Sequence, residues 1–233
     1  SAKPSNEVLR KYPHHLVNIE SLENIFTVSD FCRESLKLID KIHDNEKIPL
    51  FVGGSMMYFK SLFHGIHDLP GKDHDYREEL NHLKNNNPKN YLYSLLKNID
   101  SVYANQIEEN DHIRIIRALE IYKQSNIKLS DIFKETPKNG IKNNFDVHQF
   151  GIHLGRDIIH ERIKTRLIEM FDQGLIEETI NILAKFQISN DHPFRKAVNY
   201  KQTIEFIDGK YPKEILIDKS LYASRQLAKR QDT

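Results

Sequence analysis

Val52-Gly53-Gly54-Ser55-Met56-Met57-Tyr58-Phe59-Lys60 is the most informative stretch of this sequence. It follows an apolar run at 48–52 (Ile-Pro-Leu-Phe-Val), which predicts a buried strand, and it leads into an amphipathic run that predicts a helix. A Gly-Gly pair between a strand and a helix lets the backbone approach a ligand closely and leaves the first helical N–H groups free for an anion or a base edge. Ligands of open α/β sheets collect at this end of a strand. Taken alone, a tight turn without a ligand explains the pair better, so other segments have to be considered with it.

Composition narrows the class of protein before any further motif is considered. The chain has 233 residues, enough for one large domain or two small ones, and a formal net charge of only +1. Any nucleic-acid site must therefore come from local basic patches. The single cysteine, Cys32, cannot form an intramolecular disulfide, no apolar run approaches the length of a membrane span, and Ser1 starts no leader-like segment. These features predict a soluble cytoplasmic protein without a membrane segment.

The spacing of apolar residues predicts a mostly helical chain. The run from Val28 to His43 has an apolar face at helical spacing, and Ser29 or Asp30 could cap its start. The segment 147–154 alternates and predicts a second strand, whereas the polar segment 137–144 (Pro-Lys-Asn-Gly-Ile-Lys-Asn-Asn) predicts a linker. Further helices are predicted at 73–83, 90–98, 112–124, 156–171, 175–186, 195–206 and 212–230.

Four segments, taken in order, give a more specific signal than any one of them. They are Ala2-Lys3-Pro4 with Pro13-His14-His15-Leu16; the stretch 52–60; Asn110-Asp111 with Arg114-Ile115-Ile116-Arg117-Ala118-Leu119-Glu120; and Arg225-Gln226-Leu227-Ala228-Lys229-Arg230-Gln231. On these segments the chain resembles the bacterial tRNA dimethylallyltransferases (the tRNA isopentenyltransferase family) over essentially its whole length. Members of that family transfer a dimethylallyl group from dimethylallyl diphosphate to N6 of the adenosine just 3′ of the tRNA anticodon, adenosine 37.

The resemblance implies an α/β fold that is predominantly helical, with a P-loop-NTPase-like parallel sheet core and a helical insertion domain. The core and the C-terminal helices would comprise residues 1–70 and 141–233, and the insertion, 71–140, would contact tRNA. The family begins with a strand, a GxxxxGK[ST] phosphate loop and a helix, and this sequence contains no such motif. We therefore expect the sheet core to be incomplete in these residues, and we expect the phosphate loop and the general base to lie upstream of Ser1. We also expect no activity from the 233 residues alone. The 48–52 strand should then expose apolar surface where its neighbours would pair.

Arg166 is the residue to which we assign a catalytic role. Apolar residues from Ile159 to Met170 form a stripe on the predicted helix 156–171, and Arg166 lies at the edge of that stripe. A guanidinium close to a buried face needs an anionic partner, for which a structural salt bridge is the simplest explanation. The resemblance implies instead that Arg166 contacts the diphosphate and assists the transfer.

The resemblance also implies a set of tRNA contacts. Ser55 stands where the family most often has Thr, at a position that meets the target nucleotide, although capping the following helix is a simpler role. Asn199 stands where the family usually has Gly, and Asn tolerates the positive φ that a tight turn needs. For the basic residues, a solvated helix face is the simplest alternative to a phosphate contact. The predicted tRNA-binding residues are Ser55, Arg77, Ile113, Arg114, Arg117, Lys196, Asn199, Tyr200, Lys201, Arg225, Gln226, Lys229, Arg230 and Gln231.

Cofactors, partners and alternative functions complete these expectations. The resemblance implies Mg²⁺ as cofactor, the tRNA anticodon stem-loop and dimethylallyl diphosphate as partners, and a monomeric enzyme. The sequence has neither a CxxC nor an HExxH motif, so we name no metal-ligating residue. Two alternatives stay open. One is an adenylate isopentenyltransferase that acts on free nucleotide, whose relatives lack the helical insertion; the other is a non-catalytic helical RNA-binding fragment.

Overall fold

The computed structural model describes residues 3–232, so the motif residue Ala2 lies outside the described range. Within that range the regular elements are helices, with one isolated antiparallel bridge between Ile66 and Lys138. No helix among these residues has both the length and the apolarity to cross a membrane. The helices are α1 (Asn6–Lys11), α2 (Val28–His43), α3 (Met56–His64), α4 (His74–Asn86), α5 (Tyr91–Ile99), α6 (Ser101–Ala104), α7 (His112–Ser125), α8 (Leu129–Ile132), α9 (Arg156–Asp172), α10 (Leu175–Lys185), α11 (Pro193–Lys196), α12 (Tyr200–Ile207) and α13 (Lys213–Gln231), with a 3₁₀ turn at Ile141–Asn143.

The chain divides into two compact units. One combines Ser1–Phe59 with His148–Thr233 and is termed the discontinuous unit; the other, Lys60–Val147, is termed the inserted unit. The predicted insertion, 71–140, lies inside the inserted unit. In the discontinuous unit α9 packs on α10 and α13, and α12 packs on α10 and α13. In the inserted unit α4, α5 and α7 pack on one another around a cluster of buried leucine and isoleucine side chains.

The start of α2 shows how a local pattern fixes a helix boundary. The predicted bounds, Val28 to His43, are confirmed. The predicted cap, Ser29 or Asp30, was wrong. Thr27 caps the helix, because its hydroxyl accepts the Asp30 N–H while the Asp30 carboxylate accepts the Thr27 N–H. This reciprocal arrangement satisfies two helix-end donors at once. The Thr27 hydroxyl also donates to the Asp30 carboxylate at 2.6 Å, and this bond, together with the one from the Thr27 N–H, lowers the pKa of Asp30.

Both predicted strands were wrong. The segments 48–52 and 147–154 lie outside any helix or β-ladder, and no sheet forms within residues 3–232. A strand needs a neighbour to pair its backbone N–H and C=O groups, and apolar alternation alone cannot supply one. The exposed apolar surface that we expected on 48–52 is confirmed, since Ile48 is 91% exposed, and Ile152 in the other segment is equally exposed.

The helix predicted at 195–206 is interrupted. The structure has α11 and α12 instead, separated by a turn at which Asn199 has φ 73°. Ala197 leaves the helical conformation with ψ 139° and ends α11, and Asn199, with a positive φ that an α-helix does not adopt, leads the chain into α12. The expectation that Asn199 would adopt the positive φ of a glycine position is confirmed.

Two glycines in the inserted unit bring two backbone segments into direct contact. The N–H of Ile66 donates to the carbonyl of Lys138 at 3.2 Å. A Cβ on Gly65 would lie 2.3 Å from that same carbonyl oxygen, and a Cβ on Gly140 would lie 2.4 Å from the carbonyl carbon of His64. Gly65 also has φ 90°, which side-chain-bearing residues rarely adopt. This glycine crossing therefore fixes the end of α3 against residues 138–140.

Gly65→Ala should destabilise the inserted unit by about 1–3 kcal/mol, because the new methyl group overlaps backbone and the positive φ is strained. The measurement is urea unfolding followed by circular dichroism. Gly71→Ala is the matched control, since a Cβ at Gly71 meets nothing within 4 Å. Equal unfolding midpoints for the two variants would contradict this account of the crossing.

Candidate functional site

The Gly-Gly loop and the end of α13 lie together in the discontinuous unit. A Cβ on Gly54 would lie 2.5 Å from Nε2 of Gln231, so the glycine leaves the space that this side chain occupies. The carboxylate of the next residue, Asp232, is hydrogen-bonded to the ring of His153, with 2.9 Å between Oδ1 and Nδ1. Ser55, exposed at the start of α3, follows Gly54 directly. The structure thus brings Ser55 and Gln231, both predicted to bind tRNA, to one place.

Arg166 lies on the solvent side of α9. The predicted apolar stripe is confirmed, since Leu167 and Met170 on the same helix are buried. Arg166 itself is exposed, so solvent reaches its charge. Its assignment to the diphosphate therefore rests on the family resemblance and on its accessibility to a ligand, and it stays a prediction.

The α11–α12 turn gives its predicted site residues different environments. Asn199 Oδ1 accepts the hydroxyl of Ser224 on α13 at 3.1 Å, which ties the turn to that helix. Tyr200 is half-buried, and its hydroxyl donates to Glu178 at 2.5 Å. Lys196 and Lys201 are exposed on either side of the turn. The two lysines are therefore accessible to a ligand, whereas the tyrosine hydroxyl already has a structural partner.

The residues of α13 that were predicted to bind tRNA become more exposed towards the end of the helix. Arg230 is exposed, whereas Arg225 and Gln226 are half-buried. The Nε of Arg225 is buried and has no hydrogen-bond acceptor among residues 3–232. An unpaired buried donor of this kind is costly to the folded state.

In the inserted unit, α7 begins with two exposed residues that were predicted to bind tRNA. Ile113 is 85% exposed, which is unusual for a large apolar side chain in the first turn of a helix. Arg114 forms an ion pair with Asp111 at 3.3 Å, and Asp111 also caps the helix by accepting the Arg114 N–H. This pair is exposed to solvent, so it leaves the guanidinium accessible to phosphate.

Arg77 and Arg117 both bind a buried carboxylate, that of Glu120. The Glu120 side chain is 0% exposed, while each arginine side chain is 29% exposed. Arg77 donates through Nε and Nη2 to the two carboxylate oxygens at 2.6 and 2.8 Å, and Arg117 donates to Oε2. The N–H of Asp73 adds a fourth hydrogen bond at 2.8 Å. This arrangement, termed the Glu120 triad, gives both arginines a structural role; their predicted contact with tRNA stays a prediction.

The electrostatics of the Glu120 triad follow from competing effects. Burial raises the pKa of Glu120, because it disfavours the charged form. The hydrogen bonds from Arg77, Arg117 and the Asp73 N–H outweigh burial, and the pKa of Glu120 falls to about 2. The carboxylate is therefore ionised at any physiological pH. Sequence reasoning missed this residue, although an acid three positions after Arg117 on the same helix was a usable signal.

Among residues 3–232, no three His, Cys, Asp or Glu side chains are arranged to hold a metal ion. The described residues therefore do not fit a Mg²⁺ site of their own, and we derive no chemical step through that ion. A requirement for Mg²⁺ stays a prediction. Ions of this kind are often held by one or two carboxylates together with the substrate's phosphates.

Comparison with known proteins gives consistent results. The family model described as IPP transferase matches residues 1–233. The tRNA dimethylallyltransferase of Acinetobacter baumannii strain ACICU is 33% identical over 238 residues, which cover 100% of this chain and 76% of that relative. The full-length tRNA isopentenylpyrophosphate transferase of Bacillus halodurans is a solved structure with a TM-score of 0.62 and 31% identity, matched over 99% of this chain and 70% of its own. A eukaryotic dimethylallyltransferase acting on tRNA has a TM-score of 0.77 at 24% identity, is matched over 98% of this chain and 57% of its own, and shows likeness of fold alone.

Proposed function

This chain belongs to the IPP transferase family, and on that premise we propose that it transfers a dimethylallyl group from dimethylallyl diphosphate to N6 of the adenosine 3′ of a tRNA anticodon. The observation that carries the proposal is a family match over all 233 residues, together with relatives named for this activity. We further propose that the enzyme acts as a monomer in the cytoplasm, where its tRNA substrate occurs.

The chemistry is a substitution at C1 of the dimethylallyl group. The C1–O bond breaks and its electron pair leaves with the diphosphate, while the C1–N6 bond forms and N6 loses a proton. The adenosine has to leave its stack for N6 to reach C1, as in other enzymes that act on a base. Negative charge builds up on the departing diphosphate, so a cation that contacts its oxygens lowers the barrier. Arg166 is our candidate, because a guanidinium can bind two such oxygens at once. We assign no described residue as the base that takes the N6 proton.

The inserted unit favours tRNA over free nucleotide as the acceptor. An enzyme for free adenylate has no use for an additional helical unit of this size or for exposed cations on it. Here Arg114 on α7 of that unit is exposed, as is Arg230 on α13. A binding experiment separates the acceptors: an anticodon stem-loop should bind this chain, and an excess of AMP should not displace it. Complete displacement by AMP would favour an adenylate isopentenyltransferase.

The end of α13 should account for much of the salt dependence of RNA binding. The chain's net charge is only +1, so general attraction is weak and local cations must supply it. Neutralising Arg225, Lys229 and Arg230 together should lower the slope of log K against log salt by roughly 0.7–0.9 for each phosphate that the variant no longer binds. Preference for the target adenosine should be unchanged, because backbone contacts do not read bases.

The control replaces three exposed lysines of the same unit, Lys37, Lys41 and Lys47, and should leave the slope nearly unchanged. Binding is measured by fluorescence anisotropy with an anticodon stem-loop over a range of salt concentrations. If the α13 variant and the control have equal slopes, the end of α13 is only a solvated helix face.

A further inference from the structure

A cavity of about 500 Å³ lies wholly within the inserted unit, beside the glycine crossing. One wall comes from the second half of α3, with Lys60, Phe63 and His64. The other comes from the segment around the 3₁₀ turn, with Asn139 and Lys142 among its residues. Most of these side chains are exposed to solvent, so a ligand can reach them.

The charge of the cavity has one sign. Its lining includes two lysines, a histidine and several asparagine amides, and it includes no aspartate or glutamate. No ion pair of Lys60 or Lys142 forms among residues 3–232. N–H donors without a carboxylate among them favour an anion, and lysine is a common ligand of phosphate.

The glycine crossing holds the two walls together. Gly65 and Gly140 allow backbone contact between the end of α3 and residues 138–140. In the sequence, Lys60 precedes the first of these glycines and Lys142 follows the second. The backbone contact therefore holds the two segments that carry these lysines against each other. A site whose donors are held in place before binding loses less entropy when the anion arrives.

A purely structural explanation accounts for only part of this set. Cations in the last turn of a helix interact favourably with the negative end of its dipole. This interaction explains the presence of His64 in the last turn of α3. The helix dipole does not explain Lys142, which lies outside α3, or the asparagines in the rest of the lining. The helix dipole therefore does not account for the lining as a whole.

We propose that this cavity binds a backbone phosphate of the tRNA substrate through Lys60 and Lys142, an inference that rests on the proposed function. RNA is favoured over a free phosphate ion because the cavity is much larger than one such ion needs and is open to solvent. Phe63 and the amide side chains provide an aromatic ring and hydrogen-bonding groups for the nucleotide next to the phosphate, as single-stranded RNA sites do.

The test compares two double variants of this chain that change its charge equally. Lys60→Ala/Lys142→Ala removes the cavity cations, and Lys84→Ala/Lys89→Ala removes two lysines of the same unit near the α4–α5 turn. Binding of an anticodon stem-loop is measured over a range of salt concentrations. The cavity variant should bind about tenfold more weakly at moderate salt and have a slope lower by roughly 0.7–0.9 for each phosphate left unbound, while the control changes less than about twofold.

Lys60→Arg/Lys142→Arg should restore binding, because it keeps both charges. Thermal unfolding of each variant is measured to check that the inserted unit stays folded. If wild-type chain binds the stem-loop and the cavity variant binds equally well, the cavity proposal is overturned while the proposed function stands. Equal losses in the cavity variant and the lysine control would also overturn it, since general electrostatics would then explain both. If wild-type chain binds no RNA at all, both proposals fail.

Discussion

Glu120→Ala should lower the free energy of unfolding of the inserted unit by about 3–5 kcal/mol. The Glu120 side chain is fully buried, and it is the shared partner of Arg77 and Arg117. Removing it takes one shared acceptor away from two partly buried guanidinium groups and from the Asp73 N–H. The loss in stability comes from the donors that lose their acceptor and not from the loss of the ion pair as such. Replacing a whole buried ion pair by apolar groups often costs nothing, whereas removing one partner is destabilising. Urea unfolding monitored by circular dichroism measures it.

Glu79→Ala is the matched control for this prediction. Glu79 lies in the same unit and pairs with Lys123 at 3.6 Å, but both side chains are half exposed. Exposed pairs contribute little, so the control should lose less than about 1 kcal/mol. Similar losses for the two variants would show that the Glu120 triad has no special structural weight.

The Glu120 triad should stabilise the folded state less as the pH falls. The pKa of Glu120 falls from 4.5 to about 2 on folding, so the folded state favours the ionised form. Its contribution is fully present above the unfolded pKa, near 4.5, and is lost as the pH falls towards 2. Glu120→Gln lacks this titration, so the stability difference between wild type and this variant should shrink between about pH 5 and about pH 2. A difference that is constant over this range would contradict the assigned ionisation.

Arg166→Gln should reduce the rate of dimethylallyl transfer roughly 100-fold, the size of effect seen when one donor to a developing negative charge is removed. Affinity for tRNA should change little, because Arg166 is assigned to the diphosphate. The assay uses the protein expressed from its complete gene, and it measures turnover at saturating tRNA together with the tRNA dissociation constant.

Arg162→Gln is the control for Arg166, since Arg162 is exposed one turn earlier on α9. It should keep turnover within about twofold of wild type, as expected of a surface substitution. If Arg166→Gln keeps near-wild-type turnover, or loses only stability, the diphosphate assignment is wrong.

Local patterns in the sequence predicted the helices well. The start and end of α2 follow directly from an apolar face at helical spacing, and α9 begins at Arg156 as predicted. Helices satisfy their own backbone hydrogen bonds, so their boundaries are encoded nearby in the sequence. Strands are not local in this way. The segments 48–52 and 147–154 were predicted as strands, but pairing depends on neighbours that residues 3–232 do not provide.

The family and its candidate residues were also accessible from the sequence, but the environments of those residues were not. A helical wheel placed Arg166 near a buried face, whereas the packing of α9 leaves it exposed. Arg117 was predicted only as a tRNA contact, and the structure shows that its guanidinium also binds Glu120 and the carbonyl of Pro70. Pro70 contacts Arg117 in the folded protein although it lies 47 positions before it in the sequence. Contacts of that kind depend on tertiary packing, which periodicity does not encode.

The most direct test of the proposed activity is product analysis after incubation of the complete gene product with labelled dimethylallyl diphosphate, unmodified tRNA and AMP together. Mass spectrometry of the digested tRNA, and of the free nucleotide, locates the label. We predict N6-dimethylallyl-adenosine at the position 3′ of the anticodon and none on AMP. Label on AMP but not on tRNA would contradict the proposed activity in favour of an adenylate isopentenyltransferase. RNA binding without label on either acceptor would contradict it in favour of a non-catalytic RNA-binding protein.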